Sequence, residues 1–107
     1  MDSAVEFERV AEEEREARQC FVEVTVNYLC LRAMLAQAKS RGGTSPIVIA
    51  SPAVIIELRQ ALDAENWDDQ RILDTFRGMA EALGHTLPMK LQTYSSKWVG
   101  PAIIIAD

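Results

Sequence analysis

A chain of 107 residues, 49% hydrophobic and 25% charged, has the size and composition of one globular domain and not of a disordered tail. Its net charge of −5 includes no basic patch able to neutralise a phosphate backbone, which argues against direct DNA or RNA binding. The acids concentrate at the start: Asp2, Glu6, Glu8, Glu12, Glu13, Glu14 and Glu16 face only Arg9, Arg15 and Arg18. An acidic end of this kind is a solvated helix face in most proteins, and in some it competes with nucleic acid for a basic partner.

No glycine or proline occurs between Asp2 and Lys39, so nothing in the sequence breaks a helix there. Steps of three and four residues from Phe7 visit Phe7, Val10, Glu14, Ala17, Phe21, Val24, Tyr28, Leu31, Leu35 and Ala38. Only Glu14 interrupts this heptad seam of apolar and aromatic residues. The segment "CFVEVTVNYLC", residues 20–30, alternates apolar and polar over Val22 to Asn27, as a half-buried strand does. A strand, however, would need a turn on each side, and no turn residue is present. The β-branched Val22, Val24, Thr25 and Val26 lower helix propensity by only a fraction of a kcal/mol each. One helix over residues 1–41 is therefore expected, ended by Gly42 or Gly43.

A second apolar row, Val22, Val26, Leu29, Ala33 and Ala36, runs beside the seam, widened by Cys30 and Met34. The later half of the helix should then be buried on more than one side, while the first half projects or pairs. A helix of about 38 residues is about 57 Å long, and a domain of this size has a radius of gyration near 13 Å, so the first half must overhang. An overhanging stripe with Phe7 and Val10 calls for a partner helix or groove.

The body, residues 46–107, alternates strand and helix signals. "PIVIA" reads as a short buried strand. "SPAVIIELRQAL" reads as a helix capped by Ser51 with Pro52 at its first position and Val54, Ile55, Leu58, Ala61 and Leu62 inward. "NWDDQRILDTFRGMAEALG" reads as a helix capped by Asn66, with Asp68 and Asp69 in its first turn. Its inward stripe is Ile72, Leu73, Phe76, Met79, Ala80 and Leu83, and Gly84 stops it. "LPMKLQTY" alternates as a one-sided strand, "SSKWVGP" is a loop, and "AIIIAD" is a fully apolar strand. The expected fold is a single α/β (α+β) domain with a long N-terminal helix, two further helices and about three strands, the last two antiparallel.

The sequence offers few chemical sites. His85 is the only histidine and has no nucleophile or carboxylate motif beside it, so it reads as a loop or cap residue. Cys20 and Cys30 are too far apart on one helix to bridge and read as buried free thiols of a reducing cytoplasm. No metal, cofactor, catalytic residue, signal peptide or membrane span is expected. "KSRGGTSP" lacks the spacing and context of a phosphate loop and reads as a helix stop. "YSSKWVGP" joins Tyr94, Lys97 and Trp98, a composition found at interface hot spots and base-stacking sites, with Trp67 as a companion.

The runs "PIVIASPAVIIELRQAL" and "LPMKLQTYSSKWVGPAIIIAD" resemble a pattern in small tailed-phage proteins and in the peripheral domain of phage capsid proteins. There a strand ending in a Ser-Pro helix start leads to a strand, a loop and a last strand ending in an acid. The resemblance covers residues 46–107, with a helix inserted, and excludes the long helix. It implies an assembly part or an inhibitor of a host or defence protein. The composite expectation is a non-enzymatic protein of the cytoplasm that self-associates through Phe7, Val10, Ala17, Phe21, Val24 and Tyr28. The alternative is a small-ligand or nucleotide binder using Tyr94, Lys97 and Trp98.

Overall fold

The computed structural model describes residues 3–40, 46–93 and 98–105. Helix α1 spans Ser3–Lys39, and strand β1 spans Ile47–Ala50. Helices α2 and α3 follow at Pro52–Ala61 and Asp69–Ala82. Strands β2, Met89–Gln92, and β3, Ala102–Ile105, end the described fold. This is the α+β architecture expected, and "CFVEVTVNYLC" is helical throughout.

The three strands lie in the order β1-β3-β2, both pairings antiparallel. The most apolar strand occupies the centre, where both of its edges are hydrogen-bonded. Opposed residues share a face, so Ile105 with Ile47 and Met89, and Ile103 with Leu91, turn toward the helices. An irregularity between Val48 and Ala50 lets Ile49 and Ala50 both be buried. Val48, Ile104 and Lys90 share the opposite face.

Helix α2 starts as its sequence dictates. Ser51 is extended, its hydroxyl accepts from Val54 N, and Pro52 sits where a missing N–H costs nothing. The cap of α3 differs from the sequence reading. Asp68, and not Asn66, is the cap, accepting at 2.8 Å from the Arg71 amide. Both are good capping residues, and Asp68 stands directly before the first helical residue and three before Arg71, the spacing the cap bond requires. Gly84, at φ 90, takes the left-handed conformation after α3. Of the inward stripe of α3, Ile72, Leu73, Phe76 and Ala80 are buried, but Leu83, in the cap position, is exposed.

The core forms where α1, α2 and α3 meet the sheet, around Val22, Val26, Cys30, Ile55, Phe76 and Ile103. Polar ties pin the elements together. Arg59 of α2 pairs with Asp69 of α3, and Arg77 donates at 2.9 Å to the Met89 carbonyl. His85 Nε2 donates to Asn27 Oδ1 at 2.7 Å, fastening the end of α3 to α1.

Helix α1 outreaches this body. At 1.5 Å per residue its 37 residues span about 55 Å, and the molecule measures 64 × 27 × 17 Å. The radius of gyration, 16.3 Å, exceeds the ~13 Å of a compact domain this size.

Candidate interaction surface

The later half of α1 presents a different face to the body than the one the seam occupies. Val22, Val26, Leu29, Cys30 and Ala33 are buried, and they lie three, four or seven residues apart. Every seam residue between Phe7 and Ala38 is exposed, Phe7 at 75%, Phe21 at 51%, Val24 at 63% and Leu35 at 62%. In a helix a step of one residue turns the side chain by about 100°, so Phe21 and Val22 cannot serve the same face.

Two expectations change as a result. The later half of α1 is buried on one side only, because the sheet and the two short helices cover only one flank of it. The unpartnered apolar face is therefore not confined to the overhang but runs the length of the helix. Cys20, on the seam side, is exposed, and only Cys30 is the buried thiol; burial raises its pKa above the ordinary thiol value.

The sequence reading chose Phe7, Val10, Ala17, Phe21, Val24 and Tyr28, and the helix brings all six onto one exposed face. Leu31, Met34 and Leu35, outside those six, are also exposed. The register already contained Leu31 and Leu35, so the signal was present. Arg32 lies 5.7 Å from the centroid of the Tyr28 ring, a cation held beside the apolar row.

From Val5 to Phe21 no side chain is buried. Within that span Arg18 ties the helix to the body, pairing at 2.8 Å with Asp63, which has a φ of 52° just beyond α2. An open cleft of about 330 Å³ lies at this junction, lined by Arg15, Arg18, Glu23, Leu62, Asp63 and Met79.

The second candidate is less visible. Tyr94 and Lys97 lie outside the described residues. Trp98 is half-buried, and its indole Nε1 is shielded, with no acceptor among the described residues. Trp67 is half-buried against the core, with the Arg71 guanidinium 4.0 Å from its ring centroid. Among the described residues no cluster of three His, Cys, Asp or Glu side chains forms a metal site, and no helix is long and apolar enough to cross a membrane. No protein-family model, curated protein or solved structure matches this chain.

Proposed function

We propose that this chain is a non-enzymatic protein-interaction module that self-associates through the exposed seam of α1. The observation that carries the proposal is the length of that seam, which only Glu14 interrupts. Seven large apolar or aromatic side chains, Phe7, Val10, Phe21, Val24, Tyr28, Leu31 and Leu35, stand exposed in heptad register on the face away from the body. Scattered apolar residues are normal on a surface, but an apolar row kept in heptad register along a helix of this length is the surface that helix pairing buries. A small core gains further from such burial.

The phage resemblance of residues 46–107 extends the proposal to a role as an assembly part or as an inhibitor of a host or defence protein in the cytoplasm. Light scattering at micromolar concentration tests the self-association. The unmodified chain should exceed its monomer mass, and Phe7→Asp with Val10→Asp should lower the mass toward 11.9 kDa. A monomer in both cases would defeat the proposal.

A second reading is a binder of small ligands or nucleotides through Tyr94, Lys97 and Trp98, whose shielded Nε1 meets no acceptor among the described residues. It expects tryptophan fluorescence to respond to a nucleotide and the response to vanish in Trp98→Ala.

A further inference from the structure

We infer that the occupant of the seam is α1 of a second copy running antiparallel, an inference that rests on the self-association proposed above and gives it a geometry. In heptad terms Phe7, Glu14, Phe21, Tyr28 and Leu35 take position a, and Val10, Ala17, Val24, Leu31 and Ala38 take position d. The body covers positions b, c and f through Val22, Val26, Leu29, Cys30 and Ala33. The seam thus points away from its own body, and a second copy's body would lie on the far side of the second helix. Neither body obstructs the pairing.

Two parallel copies in register would set every seam residue against itself. Glu14 would meet Glu14 inside the seam, and Ala17 would meet Ala17 and leave a gap. Phe7 would crowd Phe7 and Tyr28 would crowd Tyr28. The charge balance is also adverse. Over residues 3–18, Glu6, Glu8, Glu12, Glu13, Glu14 and Glu16 outweigh Arg9, Arg15 and Arg18 for a net −3. A parallel pair aligns −3 with −3.

Reversing one copy removes these conflicts together. With the two helices fully overlapped, Phe7 faces Ala38, Val10 faces Leu35, Glu14 faces Leu31, Ala17 faces Tyr28 and Phe21 faces Val24. Large residues then oppose small ones at the Phe7 and Ala17 layers, which is how interdigitating layers fill space. Glu14 loses its like-charged neighbour and gains Arg32 next to Leu31. Over residues 19–39, Arg32 and Lys39 against Glu23 give +1, so the −3 half now lies along a +1 half. The flanking rows agree as well. Glu13 falls opposite Met34, Cys20 opposite Asn27, Arg18 opposite Thr25 and Ala11 opposite Arg32, with no like-charged pair among them. The overhang, which has no surface of its own domain to lie on, rests along the Tyr28 to Ala38 stretch of the other copy.

Disulfide trapping in the full chain tests the orientation. In a Cys20→Ser background, Val10→Cys and Leu35→Cys are introduced singly and together, and each protein is oxidised and run on a non-reducing gel. Within one chain the two positions are about 37 Å apart along the helix, far beyond disulfide reach, so any bond joins two copies. Both side chains are exposed in the single copy, so the substitutions leave the core untouched. The antiparallel pair predicts a covalent dimer from the double variant and none from either single one. A covalent dimer from Val10→Cys alone would overturn the orientation while leaving self-association intact. No covalent dimer in any variant, with the unmodified chain oligomeric by light scattering, would overturn the antiparallel register. A monomeric unmodified chain would overturn both.

Discussion

Phe21 and Val22 are consecutive residues of α1 with opposite fates: Val22 is 1% exposed in the core, and Phe21 is 51% exposed on the far face. Their separation divides the helix into a side that holds the fold and a side free for a partner. The two sides should answer differently to mutation.

Val22→Ala removes buried methyl groups beside Val26 and Phe76 and should lower unfolding free energy by about 2 kcal/mol. Phe21→Ala, under dilute conditions, should change it by less than about 0.5 kcal/mol. Urea denaturation of both variants measures the contrast.

The caps give a second contrast. Asp68→Ala should cost about 1 kcal/mol, because the Arg71 amide loses its acceptor. Ser51→Ala should cost a comparable amount at α2. Asn66→Ala should be close to neutral. Equal losses at positions 66 and 68 in chemical denaturation would contradict the observed cap.

The two thiols should separate in reactivity. Cys20 is exposed and should react with a thiol reagent in the native state, whereas Cys30 should wait for unfolding. Burial raises the Cys30 pKa above the ordinary thiol value, so the folded state favours the neutral thiol. The unfolded chain ionises first as pH rises, and its fall in free energy removes stability. The Cys30 contribution should be complete below about pH 9 and decline above it, a loss that Cys30→Ala would suppress.

Much of this fold was legible. The absence of glycine and proline before Lys39 specified α1, and the Ser51-Pro52 pair specified the start of α2. The central position of β3 was not legible, because strands of four residues carry no signal for their order in a sheet; tertiary pairing decides it. Asn66 and Asp68 are similar capping residues two positions apart, and local chemistry alone did not choose between them. The site shows the same division. Heptad spacing placed Phe7, Val10, Ala17, Phe21, Val24 and Tyr28 on one face, but composition suggested that the later half was enclosed. Which apolar row meets the body depends on how much surface the body offers, and a sheet of three short strands with two short helices covers only one.

Sedimentation equilibrium tests the central claim most directly, comparing the unmodified chain with Phe21→Asp/Val24→Asp, which alters a central layer of the seam and no buried residue. Self-association through α1 predicts that the unmodified chain approaches at least twice its 11.9 kDa mass as concentration rises, while the folded variant stays at 11.9 kDa. A mass of 11.9 kDa for the unmodified chain throughout the micromolar range, or an oligomer unchanged by the two aspartates, would contradict it.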